Sequence, residues 1–210
     1  MTMLAKQLSL VRKYGLKEFL RGKIQKAKYV LNILKFHPNE REKWNSLYGR
    51  YSGERVFLIG NGPSLNKTPL FLLKNEKVMC FNHFYLMLEK VSWRPEFYTI
   101  VDNLVLDDIV KNIDVVLNNS KEVFMPSVHV QGDVFITKVK ENDQINWFRH
   151  YIFGAGFSKK LPKIYGGGTV IYEGFQILKY LGFSEIIMIG VDMNYQIHKS
   201  VKSIKKNSKT

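Results

Sequence analysis

Arg55-Val56-Phe57-Leu58-Ile59-Gly60-Asn61-Gly62-Pro63-Ser64-Leu65-Asn66 decides how the rest of the chain is read. Arg55 to Ile59 is a short run of branched and aromatic residues, the pattern of a buried strand. Gly, Asn, Pro and Ser then break it at once. Gly60 and Gly62 leave no Cβ between the main chain and a neighbour. Pro63 fixes a dihedral and turns the chain. Ser64 is placed to cap a helix that continues through Leu65. A strand that ends in a glycine turn and opens a helix is where α/β proteins hold phosphates and nucleotides. The spacing is neither G-x-G-x-x-G nor a P-loop. The plainer reading is a tight strand-to-helix connection with no ligand.

Outward from this turn, elements alternate. Strands are expected at Lys77–Phe81, Phe97–Val101 and Glu122–Met125, the last closed by Pro126, with an edge strand at Val134–Val139. Helical segments are expected at Leu70–Leu73, Leu104–Ile113 and Val170–Leu181, with Gly182 as the cap of the last. Glu185–Val191 is a run of branched residues, read as a strand buried on both faces. Residues 140–164 have weak periodicity and read as an irregular excursion. The alternation implies an α/β, Rossmann-like fold, a mostly parallel sheet with helices on both faces.

The chain has 210 residues, 45% hydrophobic and 24% charged, with a net charge of +14. That charge is not spread evenly. Residues 1–50 hold 12 Lys/Arg and 3 Asp/Glu, residues 196–210 hold 5 Lys, and residues 51–195 are neutral. A neutral body argues against dedicated nucleic-acid binding; basic ends fit an anionic membrane surface or a partner. Three segments follow: a basic helical arm and linker (1–52), a nucleotide-binding domain (53–195), and a basic tail expected to be disordered (196–210). Within the arm, apolar residues recur at helical spacing from Leu4 to Leu34, interrupted by Gly15 and Gly22, so two or three helical pieces are expected. The arm either lies on a membrane surface or packs on its own domain. Trp44 and Tyr48 are read as anchors onto the body. The single Cys80 excludes an internal disulfide framework. No apolar run reaches the roughly 18–20 residues that span a bilayer, and no signal-peptide core is present. A cytoplasmic protein, peripheral at the inner face of the membrane, is the expected location.

Ligands in such sheets bind beyond the carboxyl ends of the strands. The residues there are polar: Asn61 and Ser64, Asn82, Asp102 and Asn103, then Asp192 and Asn194. Gly166-Gly167-Gly168-Thr169 opens a helix whose free N–H groups suit an anion, although Thr169 also suits a plain cap. Amide side chains offer donor and acceptor together, which fits a base edge or a ribose. His37, His83, His129, His150 and His198 have no metal-ligand spacing, and no metal site is expected. Asp107-Asp108 reads as a solvated helix face rather than a cation site.

Val56 to Leu65, Phe81-Asn82, Gly167 to Tyr172, Leu181-Gly182-Phe183 and Ile189-Gly190-Val191-Asp192 resemble the bacterial family related to hydroxymethylpterin diphosphokinase (MptE-like). The same landmarks are similar to bacterial sialyltransferases that use CMP-linked sialic acid. The resemblance covers residues 53–195 and implies a sialyltransferase-like nucleotide-binding fold. In those transferases the counterparts of Asn61, Ser64, Asn82 and Gly168–Thr169 surround the cytidine nucleotide; Asp102-Asn103 match less well. The nucleotide site expected here therefore comprises Gly60, Asn61, Gly62, Ser64, Asn82, Asp102, Asn103, Gly167, Gly168, Thr169 and Asp192. The transferases take their catalytic histidine from well beyond the Gly-Val/Ile-Asp motif. Only 18 residues follow Asp192 here, and His198 does not match. The resemblance thus implies a different base or a chain that stops short of it, and leaves the catalytic residues unassigned. The expected function is nucleotide-sugar-dependent glycosyl transfer in surface polysaccharide synthesis, the nucleotide-sugar being donor substrate and no cofactor being required. The alternatives are an ATP-dependent pterin diphosphokinase with Mg²⁺, and a non-catalytic membrane- or partner-binding fragment.

Overall fold

The computed structural model describes residues 3–129, 134–140, 142–151, 154 and 156–192. Among them are the strands β1 (Arg55–Ile59), β2 (Val78–Phe81), β3 (Phe97–Thr99), β4 (Glu122–Val128), β5 (Ile145–Tyr151), β6 (Lys163–Tyr165) and β7 (Glu185–Ile189). They form one sheet in the order β6-β5-β4-β3-β2-β1-β7, and every neighbouring pair is parallel. The chain steps from β1 to β6 in one direction, then returns to lay β7 on the free side of β1.

Side chains alternate across this sheet, as the two-residue period of a strand requires. Val78, Cys80, Tyr98, Ile100 and Val123 face Leu70, Phe84, Trp93 and the helices α4 (Asn103–Ile109) and α5 (Ile113–Asn118). Leu58, Met79, Phe81, Phe97 and Phe124 face the opposite way, against α3 (Arg41–Leu47), α6 (Val170–Leu181) and Phe183. Two apolar layers therefore sandwich the sheet. The fold is α/β and Rossmann-like, with helices on both faces, as the alternation of elements implies.

α6 has the boundaries read from the sequence, capped by Thr169 and closed by left-handed Gly182. Other elements differ. Residues 104–113 split into α4, a 3₁₀ turn at Val110–Asn112, and α5. β4 runs on through Pro126 to Val128, because the register with β5 slips there and Pro126 sits at the bulge. Val134–Val139 is not a strand: Val134 makes one antiparallel bridge to Val128, and a 3₁₀ turn at Phe135–Thr137 buries Phe135. Residues 140–164 are not irregular throughout, since they supply β5 and β6. β7 is not buried on both faces. It lies at a sheet edge beside β1, half-buried to exposed along its length, because a run of branched residues reports a strand but not its place in the sheet. Ser64 does not cap a helix: Pro63–Lys67 is a 3₁₀ turn with no side-chain cap.

The arm forms α1 (Met3–Tyr14) and α2 (Leu16–Phe36), broken at Gly15 with φ 82°. Gly22 is absorbed inside α2. Tyr29 is the buried residue of α2, and its hydroxyl donates to the His150 carbonyl. Trp44 is fully buried, whereas Tyr48 is 69% exposed and only edges the Tyr180 ring. α3 also completes the sheet. β6 pairs only with Arg149–Tyr151, so the first half of β5 has an open side. Lys43 Nζ donates to the Ile145 carbonyl (2.6 Å), the Trp147 amide donates to Glu40 Oε2 (2.7 Å), and Trp44 Nε1 donates to the Trp147 carbonyl (2.9 Å). Side chains thus satisfy backbone groups that a neighbouring strand would otherwise meet. Burial raises the Glu40 pKa, against the lowering effects of the Trp147 amide and Lys43.

Trp44→Ala removes a full core aromatic and one of these edge bonds. It should cost about 3–5 kcal/mol, measured by urea unfolding; a loss under about 1 kcal/mol would mean that α3 is dispensable. A second expectation concerns His37, at the end of α2. Its Nδ1 lies 2.8 Å from Ser127 Oγ, and burial, then the Arg149 charge, lower its pKa from 6.5 to about 4. The unfolded chain takes up that proton near pH 6.5 while the fold refuses it until about pH 4. Stability should therefore fall as pH drops through that window. Tm measured against pH should fall less steeply in His37→Gln; an unchanged slope would assign the acid sensitivity to other groups.

Candidate functional site

In an open parallel sheet the crevice for a ligand lies where the strand order reverses, here between the ends of β1 and β7. Sequence and packing have closed that crevice. The Gly60 amide donates to the Ile189 carbonyl and the Gly62 amide to the Gly190 carbonyl, both at 2.8 Å. The Ser64 amide donates to Asp192 Oδ2, also at 2.8 Å. A Cβ on Gly60 would stand 2.3 Å from the Gly190 oxygen, and one on Gly62 2.3 Å from Asp192 Oδ2. These glycines are required by the approach of two loops. The carboxylate of Asp192 sits on the Ser64 amide, the first N–H of the 3₁₀ turn, where an external anion would otherwise be received.

The neighbouring strand ends are arranged differently. Asn61 is exposed, and its Nδ2 donates to the Phe81 carbonyl at 3.1 Å, strapping β1 to β2. Asn82 has a left-handed backbone, with φ 49°. Its carbonyl accepts from the Tyr98 hydroxyl at 2.6 Å, and that hydroxyl accepts in turn from the Tyr85 amide. Burial pushes the Tyr98 pKa up. Asn82 Oδ1 and Thr99 Oγ1 are both buried with no hydrogen-bond partner among the described residues. A buried polar atom left unpaired costs about 1–3 kcal/mol, so two at adjacent strand ends call for an explanation. At the end of β3, Asp102 Oδ1 accepts from the Leu104 amide and caps α4, and Asn103 is the first residue of that helix.

α6 begins above the same rim. Gly167 lies against the Tyr172 ring, Gly168 is left-handed with open space where a Cβ would be, and Thr169 Oγ1 accepts from the Ile171 amide. Gly174 meets the Phe81 ring, which sets the first turn of α6 over the end of β2. In that turn Glu173 Oε1 lies 2.9 Å from His150 Nε2, with both residues buried. His150 Nδ1 and Glu173 Oε2 have no partner among the described residues. An imidazole oriented by a carboxylate is a unit that can accept or relay a proton.

The structure brings Gly60, Gly62, Ser64 and Asp192 into one knot. It joins Asn61 to the β2 end beside Asn82, while Gly167, Gly168 and Thr169 form the start of α6, whose Gly174 meets Phe81 at that end. Asp102 caps α4, and Asn103 is the first residue of that helix. Asn194 and His198 lie outside the described residues. Asp107 pairs with Lys138 at 2.6 Å and Asp108 stands 3.6 Å from His83. Among the described residues no group of three or more His, Cys, Asp or Glu could hold a metal ion. No helix among them is long and apolar enough to cross a membrane. The sequence reading missed the His150–Glu173 pair, which is 23 residues apart and has no motif. Its only signal is a single acid, Glu173, in the first turn of α6.

A family model described as 6-hydroxymethylpterin diphosphokinase MptE-like matches residues 30–198. The chain belongs to that family. No curated protein and no solved structure matches it. The MptE-like match begins at Val30, so the last third of α2, with Ile33 and Phe36, falls within the same stretch as α3 and the whole sheet.

Glu173→Ala should strand the buried His150 Nε2 and lower stability by about 1–3 kcal/mol, whereas Glu173→Gln, which can still accept a hydrogen bond, should recover most of it. Thermal unfolding of both variants checks this; equal losses would mean that packing, not the hydrogen bond, holds the pair.

Proposed function

We propose that this MptE-like protein is a nucleotide-dependent transferase, and that its chemistry is glycosyl transfer from a nucleotide-activated sugar. The observation that carries the reading is the unpartnered Asn82 Oδ1, with Thr99 Oγ1, at the ends of β2 and β3. An amide carbonyl and a hydroxyl recognise a base edge or a ribose. The nucleoside end of the donor lies there, with Asn61 alongside. The β1–β7 crevice does not take the phosphates, because Asp192 already occupies the Ser64 amide. The phosphates lie instead toward the Gly167–Thr169 turn, where Gly168 leaves open space. In the transfer, the acceptor hydroxyl attacks the anomeric carbon, the bond to the nucleotide phosphate breaks, and a base takes the hydroxyl proton. His150, oriented by Glu173, is the one buried imidazole–carboxylate pair among the described residues, and this reading gives it that part. The work is done in the cytoplasm at the inner face of a membrane, within surface polysaccharide synthesis.

A second reading comes from the family's own description. In a diphosphokinase, ATP would donate a diphosphate to a pterin alcohol, with Mg²⁺ between its phosphates. Asp102 and Asp192 would then have to exchange their backbone amides for the cation.

Calorimetry with CMP, CDP and UDP without metal, and with ATP plus Mg²⁺, separates the two. Glycosyl transfer predicts metal-independent binding of a pyrimidine nucleotide, weakened by about 1–2 kcal/mol in Asn82→Ala and in Asn61→Ala. Binding of ATP with Mg²⁺ alone, with a pterin diphosphate found by mass spectrometry, would replace it by the second reading. No binding of any nucleotide would end both.

A further inference from the structure

α2 has two apolar faces, and the fold uses only one. Counted at about 100° per residue, Leu16, Leu20, Ile24, Leu31 and Leu34 fall within an arc of about 80°. These five side chains are between 49% and 78% exposed. Tyr29 and Ile33, which face the β4–β5 side, lie about 140–180° from the middle of that arc. The stripe therefore points away from the protein. Lys17, Arg21, Lys28 and Lys35 border it on one side, and Lys23 and Lys26 on the other. α2 carries these six basic residues against the single acid Glu18. Such a helix, apolar on one line and basic on both shoulders, is built to lie in a lipid headgroup layer, where long Lys side chains reach the phosphates while leucines enter the acyl boundary.

A hollow beside the stripe adds a specific contact. Between α2 and the β5–β6 edge is a space of about 290 Å³, with Tyr29, Val30 and Leu34 on its apolar wall. Lys26, Arg149 and Lys163 stand around it, and no acidic residue lines it. Lys163 Nζ is held 4.1 Å from the centre of the Tyr151 ring and bonds the Tyr165 hydroxyl at 3.1 Å. Its position is therefore fixed before any ligand arrives. Arg149 is exposed and has no ion pair among the described residues.

We propose that α2 and this hollow form a docking surface for an anionic bilayer, the leucine stripe entering the interface and one lipid phosphate seated between Lys26, Arg149 and Lys163. The inference is independent of the transferase reading, since it rests on the arm and the β5–β6 edge. Charge decides the occupant: a stripe flanked on both sides by cations repels a second copy of itself, while phosphate headgroups complement it.

Flotation of the full chain with vesicles tests it. Phosphatidylglycerol mixed with phosphatidylcholine should bind the protein, less so at high salt, and phosphatidylcholine alone should not. Leu31→Glu with Leu34→Glu alters two exposed side chains and should leave Tm unchanged while weakening vesicle binding more than about tenfold. Arg149→Glu with Lys163→Glu should weaken binding to anionic vesicles about thirtyfold or more, at about one kcal/mol for each cation lost. Equal binding to neutral vesicles, or full binding by the leucine variant, would overturn the proposal. So would a dimer in sedimentation that the leucine variant dissolves, with no vesicle binding at all.

Discussion

The Asp192 carboxylate on the Ser64 amide ties the last described turn of the chain to the first turn of the sheet domain. β1 is flanked by β2 on one side and β7 on the other, so both loops leaving its neighbourhood must pass through the same narrow space. Glycine at 60, 62 and 190 lets them do so with main chain against main chain. The fold thereby gains a closed seam at the position where open α/β sheets usually keep a crevice. One strand along, at the ends of β2 and β3, buried oxygen atoms of Asn82 and Thr99 stand without partners among the described residues.

Reading the sequence recovers those parts of the fold whose cause is local. Val56–Ile59 is recognisable because four apolar residues end abruptly in glycine. α6 is recognisable to the residue because Thr169 and Gly182 bracket an apolar-periodic run. β5 is not recognisable in the same way. Asn146, Arg149 and His150 interrupt its apolar pattern, and each does so for a tertiary reason: Asn146 reaches Glu122, Arg149 faces the hollow under α2, and His150 meets Glu173. β7 shows the converse. Its composition is that of a central strand, but its order in the sheet depends on where the chain turns back, and no residue in the strand encodes that. In the site, the positions of Gly60, Asn61 and Asn82 at strand ends were legible. That the glycines serve a loop-to-loop contact was not, because Asp192 is 128 residues away from Ser64.

Of the two readings of its amphipathic pattern, the structure shows the arm packed on its own domain along one line of α2. Tyr29 and His37 dock it on the β4–β5 side, and the larger leucine stripe remains free. Periodicity alone measures how much apolar surface a helix carries. It does not say how many partners divide that surface between them. Tyr29 also reaches the carbonyl of His150, so the seating of the arm and the geometry of the His150–Glu173 pair share one strand end.

Three side chains of the Glu40–Trp44 segment do for β5 what a further strand would do. A strand flank left bare invites the flank of another molecule, and stacked chains of that kind grow into fibrils. Glu40, Lys43 and Trp44 put a bulky indole and two charged groups across the gap, which no extended chain can displace without giving up all three bonds. The Glu40–Trp44 segment is therefore also a guard against self-templated aggregation, and a chain cut between α2 and Glu40 keeps that protection while one cut after Leu47 loses it.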